Sequence, residues 1–326
     1  MAASAQTKPS VLITRKLPDD VEERASRLFD ARLNPEDKLY SPEELRAAAE
    51  GFDGLFITPA EKMSAENLQK LPDSVRIIAT FSVGYDHIDV PAAVARGIAV
   101  TNTPDVLTAA TADIAVLLML GAARGASWGD RMVREDQWRN WSPTYPLGYD
   151  FSGRRLGILG MGRIGQAVAK RARAFDMTIH YHGRKRLPPE QEQEAVYHAT
   201  LDDMLPHCDF LSVHCASTPE TRGIINAHAI GLLPADAIVV NTSRGDVVDD
   251  EALITALQSG RLAAAGLDVF RNEPDIDPRY RTLDNAFLMP HLGSATRQTR
   301  SAMGHRALDN LEAFFAGKTP GDLLEK

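Results

Sequence analysis

Short apolar runs alternate with segments of helical period along most of the chain. In the first hundred residues the runs are "SVLIT", "GLFIT", "VRIIATFS" and "IAVTNT". They are rich in Val, Ile and Phe, whose branched or aromatic side chains suit a pleated surface. Between them lie "SPEELRAAAE", "SAENLQKL" and "VPAAVARG". The first of these carries its own punctuation. Ser41 is an N-cap, Pro42 the first helical residue, Glu44 the capping-box acid and Gly51 the stop. Strands that alternate with helices predict a parallel sheet covered on both faces.

After Pro104 the pattern predicts a long helix over 108–124, apolar nearly all round and therefore buried. A polar, Trp-containing stretch over 128–149 then interrupts the alternation. A second set of strands follows: "RLGILG", "MTIHYH", "DFLSVHC", "AIVVNTS", "AAGLDVF" and "AFLMP". Helix patterns such as "RIGQAVAKRARAF" and "DEALITALQSG" separate most of them. Six such strands are what a dinucleotide-binding domain requires. A last helix is expected over about 294–316, with Met303, Leu308, Leu311, Phe314 and Phe315 among its apolar positions. The fold class read from this is α/β, with two doubly wound parallel sheets.

Composition narrows the function. The 326 residues are 44% hydrophobic and 25% charged, with a net charge of -8. A globular protein fits these values, and no basic field points to nucleic acid. The two cysteines, Cys208 and Cys215, read as buried thiols in a reducing compartment. No Cys/His cluster completes a metal site. "MAASAQTKPS" lacks a secretory core, and "ADIAVLLMLGAA" is short for a membrane span and contains Asp113. A cytoplasmic protein without membrane partners is expected.

The first chemistry lies in "GILGMGRIGQ", where Gly160, Gly162 and Gly165 stand in G-x-G-x-x-G register between a strand and a helix. Gly160 permits the turn, Gly162 lets backbone approach a pyrophosphate, and Gly165 lets the helix pack on the sheet. Arg163 and Ile164 open the helix, whose terminus favours phosphate. The next strand should end in an acid that holds a ribose hydroxyl. Instead, Gly183, Arg184, Lys185 and Arg186 follow "MTIHYH". Arginine bonds phosphate with charge-assisted, often bidentate geometry. A hydrogen bond to a charged group contributes roughly 1.5–3 kcal/mol, enough to favour NADP(H) over NAD(H) about ten- to a hundredfold. NADP(H) is the expected cofactor, with NAD(H) used at lower efficiency.

Three later motifs fall at strand ends. "NTSRGDVVDDEAL" places Arg244, "GLDVFRNEP" places Asp268 and Glu273, and "LMPHLGSAT" places His291. Ligands of an open α/β sheet bind beyond the carboxyl ends of its strands, where these residues can converge. Their types suit hydride transfer to a 2-oxo acid. Arg244 can hold the carboxylate and polarise the carbonyl. His291 can protonate the oxygen. Glu273 can bond the other imidazole nitrogen, fix the ring and keep a proton available.

Together "LGILGMGRIGQAVA", "NTSRGDVVDDEALITAL", "AAGLDVFRNEP" and "MPHLGSAT" resemble the D-isomer-specific 2-hydroxyacid dehydrogenase family, as do "FSVGYDHIDV" and "TAATADIAVLLML". The resemblance is nearest to the glyoxylate/hydroxypyruvate reductase branch, with 2-ketogluconate reductases nearby. It implies two Rossmann-like or flavodoxin-like domains. A discontinuous substrate domain, 1–103 and 292–326, would carry an inserted cofactor domain, 104–291, with the active site in the cleft. It implies that Val83 and Gly84 offer backbone amides to the substrate carboxylate. Thr111 would lie near the nicotinamide phosphate and Asp268 would bond the carboxamide. Ala216, Thr242, Ser243 and Gly293 would line the cofactor. The Trp-rich segment would be a homodimer arm, with Trp141 reaching the partner's substrate.

The leading function is an NADPH-preferring reductase of glyoxylate to glycolate and of hydroxypyruvate to D-glycerate. The alternative is reduction of 2-ketogluconate or another 2-keto acid. A more distant one is a dinucleotide-sensing, corepressor-like binding protein, which gives no reason to keep Arg244, Glu273 and His291 together. Glu rather than Gln at 273 argues against formate, and no following regulatory segment supports a phosphoglycerate dehydrogenase.

Overall fold

The computed structural model describes residues 8–145 and 147–324. The expected domain limits at residues 1 and 326, and most of "MAASAQTKPS", lie outside the described residues. The chain begins with β1 (Ser10–Ile13), α1 (Asp19–Leu28), β2 (Asp30–Arg32), α2 (Pro42–Ala48), β3 (Gly54–Ile57), α3 (Ala65–Gln69), β4 (Ile77–Thr80), α4 (Val90–Ala95) and β5 (Ala99–Thr101). Two long-chain features follow, α5 (Thr108–Arg124) and α6 (Ala126–Arg134). Then come β6 (Arg155–Leu159), α7 (Arg163–Arg173), β7 (Thr178–His182), α8 (Pro189–Glu192), β8 (Val196–Tyr197), α9 (Leu201–Met204), β9 (Phe210–Val213), α10 (Ala227–Leu232), β10 (Ala237–Asn241), α11 (Asp250–Gln258), β11 (Leu262–Leu267) and β12 (Ala286–Leu288). The last helix is α12 (Arg297–Phe315).

Two compact units result, one of residues 1–107 with 296–326 and one of 108–295. In the first, a five-stranded sheet runs β2-β1-β3-β4-β5, parallel throughout. Alternate side chains serve opposite faces. Leu12, Leu55 and Ile57 enter one core, while Val11, Ile13 and Phe56 enter the other. Met303, Ala307, Leu308 and Leu311 of α12 share that second core, so the end of the chain completes the unit that its beginning starts. The α2 signals act as read: Ser41 accepts from the Glu44 amide and Glu44 returns the bond to the Ser41 amide.

The second unit is a seven-stranded parallel sheet, β12-β11-β10-β9-β6-β7-β8. Along β10, Ala237 and Val239 point into one core, and Ile238 and Val240 into the other. Helix α5 lies in that second core through Ala112, Ala115, Leu118 and Met119, the burial its apolar sequence demands. The chain runs outward from β6 to β7 and β8, then returns to β9 on the other side of β6. The switch point therefore lies between β6 and β9, where ligands of such sheets bind.

Some elements escape the pattern. Strands β2 and β8 have only three and two residues and sit at sheet edges, where one row of pairing suffices. Helix α1 is charged, with Val21 and Ala25 as its buried residues. Helix α6 overlaps the start of the polar, Trp-containing stretch that interrupts the alternation, and buries no side chain fully. Among the described residues no single helix is long and apolar enough to cross a membrane.

Candidate active site

All strands of the second unit run one way, so their carboxyl ends share one edge. The phosphate turn follows β6 at that edge. Gly160 adopts φ 97°, and a β-carbon there would lie 2.6 Å from the Cys215 nitrogen. Its amide donates to the His182 carbonyl at 2.8 Å, tying the turn to the end of β7. A β-carbon at Gly165 would lie 2.4 Å from the Gly160 carbonyl oxygen, so only glycine lets α7 pack this close. Gly162 differs: nothing lies within 4 Å of where its β-carbon would be. It is the N-cap of α7, with no side-chain cap, and Arg163 and Ile164 follow in the first turn. A helix terminus left open beside a side-chain-free residue is the cradle a pyrophosphate needs.

Gly183 stands beside this turn, its β-carbon position 3.8 Å from the Met161 nitrogen. Arg184 and Lys185 follow, exposed, and neither forms a salt bridge among the described residues. Arg186 is paired with Glu192, Nε to Oε1 at 2.8 Å and Nη2 to Oε2 at 2.9 Å.

Arg244, Glu273 and His291 come together. Arg244 follows β10 in an extended conformation. Its turn is fixed by the buried Asn241, whose Oδ1 accepts the Ser243 amide and hydroxyl at 2.9 and 2.8 Å. Asn241 Nδ2 donates to the Arg244 carbonyl at 2.8 Å. A β-carbon at Gly245 would lie 1.9 Å from the Phe270 carbonyl carbon, so this glycine brings the Arg244 turn against the Glu273 loop. Glu273 Oε1 accepts the Phe270 amide at 2.6 Å and Oε2 pairs with His291 Nδ1 at 2.7 Å. Burial pushes the Glu273 carboxyl up, but His291, the Phe270 amide and the Arg244 charge together hold it below its usual value. With Nδ1 so engaged, His291 turns Nε2 away from the carboxylate as the nitrogen able to meet a reacting oxygen.

Asp268 directly follows β11 and supports that histidine. Its carbonyl accepts the His291 amide at 2.9 Å, and its carboxylate accepts the Leu292 and Gly293 amides at 2.6 and 2.7 Å. Burial raises the Asp268 carboxyl despite both bonds. Thr111, in the first turn of α5, donates to the Gly293 carbonyl at 3.0 Å. Thr111, Asp268 and Gly293 thus form one cluster below His291. Thr242 Oγ1 lies 3.2 Å from His214 Nδ1, and the Ala216 carbonyl accepts the Thr221 hydroxyl at 2.7 Å.

The sequence profile of the D-isomer specific 2-hydroxyacid dehydrogenase NAD binding domain matches residues 116–293. The chain is 44% identical over 313 residues to the glycerate dehydrogenase of Hyphomicrobium methylovorum, covering 95% of this chain and 97% of that one. It is 41% identical over 323 residues to the glyoxylate reductase of Pyrococcus furiosus, covering 98% and 96%. A solved relative is the NADPH-dependent glyoxylate/hydroxypyruvate reductase of Sinorhizobium meliloti, in complex with NADP and malonate. It matches with a TM-score of 0.88 at 35% identity, over 98% of this chain and 97% of that one. The chain belongs to the D-isomer specific 2-hydroxyacid dehydrogenase family.

Other residues expected to serve this dehydrogenase come from other parts of the chain. Val83 and Gly84 belong to the first unit, in a pinned loop. Asn102 Nδ2 donates to the Val83 carbonyl and Ser82 Oγ to the Gly84 carbonyl, both at 2.7 Å. Because the peptide is trans, fixing the Val83 carbonyl turns the Gly84 amide the opposite way. Trp141 is 78% exposed, in a segment where Trp138, Tyr145 and Leu147 are exposed as well. Cys208 and Cys215 are free thiols, pushed up by burial to about 12 and about 11. Among the described residues no cluster of three His, Cys, Asp or Glu can hold a metal.

Sequence reasoning passed over Asn241 and His214. The first is readable as the Asn of "NTSRG", a residue type that bonds backbone two positions on. His214 bonds Ser212 at 2.8 Å, and burial holds it neutral, down to about 4. A strand-end histidine with such partners has no signature in sequence.

Proposed function

We propose that this dehydrogenase is an NADPH-preferring reductase of small 2-oxo acids, converting glyoxylate to glycolate and hydroxypyruvate to D-glycerate. The observation that carries the reading is the 2.7 Å Glu273–His291 pair beside Arg244, at the strand edge that also holds the phosphate turn. The 2-hydroxyacid family and the names of the two reductases and the glycerate dehydrogenase support it.

The bound dinucleotide supplies the hydride. Gly160, Gly162 and the first turn of α7 hold its pyrophosphate, and Arg184 with Lys185 hold the 2′-phosphate of the ribose. Arg244 binds the substrate carboxylate with a fork of donors and draws the adjacent carbonyl into place. His291 Nε2 gives its proton to the carbonyl oxygen as negative charge develops there. Glu273 balances the charge on the ring and keeps Nδ1 as a donor. Oriented acid catalysis of this kind contributes roughly 10²- to 10⁴-fold. The exposed aromatic segment around Trp141 is the surface on which a second copy of the chain docks, giving a homodimer.

The test is a substrate panel, following NADPH absorbance with glyoxylate, hydroxypyruvate, pyruvate and 2-ketogluconate. The expected order puts glyoxylate and hydroxypyruvate first. Turnover confined to 2-ketogluconate would move the assignment to longer sugar acids, and no turnover with any of the four would remove it.

A further inference from the structure

Beneath the loop that joins β7 to α8 lies a chain of three side chains. Tyr181 is fully buried, donates to Glu192 Oε1 at 2.6 Å and accepts the Leu187 amide at 2.9 Å. Glu192 is 7% exposed and holds Arg186 through both carboxylate oxygens. The Arg186 guanidinium also lies over the Tyr197 ring, 5.8 Å from its centre. Arg186 and Leu187 close the loop whose opening residue, Gly183, stands beside the phosphate turn. The residue before it, His182, accepts the Gly160 amide at 2.8 Å, so the loop is tied down at both ends with Arg184 and Lys185 carried between them.

We infer that Tyr181, Glu192 and Arg186 form a specificity-determining clamp, positioning Arg184 and Lys185 for a ribose 2′-phosphate while making no phosphate contact of their own. The inference rests on the reading of this loop as the 2′-phosphate site. Two physical arguments support it. Two long cations on a loose loop must be ordered at the moment of binding, whereas a loop ordered in advance avoids that loss of affinity. Charge is the second. An unpaired carboxylate next to the loop would repel a 2′-phosphate, and Arg186 neutralises it. Arg186 first, then Tyr181, hold the Glu192 carboxyl down to about 2 against burial. Burial, then Glu192, raise the Tyr181 hydroxyl to about 12. The clamp keeps its charges and its donor across any ordinary assay range.

The experiment is calorimetric titration of the full-length protein with adenosine 2′,5′-bisphosphate and with 5′-AMP. The variants are Arg186→Ala, Glu192→Gln, their double, and Arg184→Ala with Lys185→Ala. Arg186 is 62% exposed at its side chain, so its truncation leaves the core intact, which thermal melting checks. Each clamp single should weaken the bisphosphate about five- to tenfold and shift 5′-AMP less than about twofold. The double should be no worse than the worse single, because one chain is broken in each case. Glu192→Gln adds positive charge, so unspecific electrostatics predicts the opposite, tighter binding. Tighter binding there with weaker binding in Arg186→Ala would make Arg186 a direct ligand and overturn the clamp. Unchanged clamp variants beside a weakened Arg184/Lys185 double would overturn the clamp and leave the phosphate site standing. An unchanged Arg184/Lys185 double would remove the phosphate site itself, and the clamp's purpose with it.

Discussion

His291 is held in a conformation that few residues other than glycine adopt, φ 55°. Its amide is tied to the Asp268 carbonyl, and the next two amides to the Asp268 carboxylate. The ring is thus aimed by backbone bonds on one side and by Glu273 on the other. His291→Ala should lower kcat by about 10²- to 10⁴-fold while calorimetric affinity for NADPH stays within about threefold. A comparable loss of NADPH affinity would contradict a role confined to proton transfer. Arg244, Glu273 and His291 were legible because each stands in a strand-end motif. The commitment of Arg186 was not. Glu192 is one acid among several in "LPPEQEQE", and only the turn of α8 brings it back to the arginine.

Elements place these residues through contacts that sequence patterns do not display. Gly162 and Gly245 look alike in a motif but do different work. Gly162 has open space around its β-carbon position, whereas Gly245 is pressed on Phe270. Gly162→Ala should therefore melt within about 2 °C of the parent and still bind dinucleotide at least tenfold more weakly. Gly245→Ala should lose stability outright, by several degrees, and turnover with it. Equal melting temperatures for the two variants would contradict this division. Strongly apolar elements such as α5, β9 and β10 were legible. Strands β2 and β8 were not, because "DAR" and "VY" are too short to show a period. Edge pairing, which only the folded sheet supplies, makes them strands. Helix α6 hid behind its tryptophan and exposed charges, lacking a fully buried face.

At the scale of the whole molecule, pH and association give further checks. Burial pulls His180 and His214 from 6.5 to about 4, and the neighbouring His198 and His207 add to the effect at His180. Both rings are therefore neutral in the folded protein while the unfolded chain protonates them below 6.5. Unfolded chains then bind more protons, so stability is full above that value and falls as pH drops towards 4. The guanidinium midpoint should fall between about pH 7 and pH 5, and His180→Asn should flatten that fall. A midpoint independent of pH would contradict neutral burial. The exposed row of Trp138, Trp141, Tyr145 and Leu147 should mediate dimerisation. Light scattering should report twice the 35.6 kDa chain mass, with Trp138→Ser/Trp141→Ser shifting the protein towards monomer; a monomeric parent would remove the arm from that role. The doubly wound sheets were readable from alternation alone.

An NADPH-preferring site for small 2-oxo acids discriminates between the two dinucleotides. Its most direct test is the ratio of kcat/KM for NADPH over NADH, measured by initial rates with saturating hydroxypyruvate. The contacts proposed for Arg184 and Lys185 with a 2′-phosphate predict a ratio of about ten to a hundred in favour of NADPH. A ratio at or below one would contradict an NADPH preference.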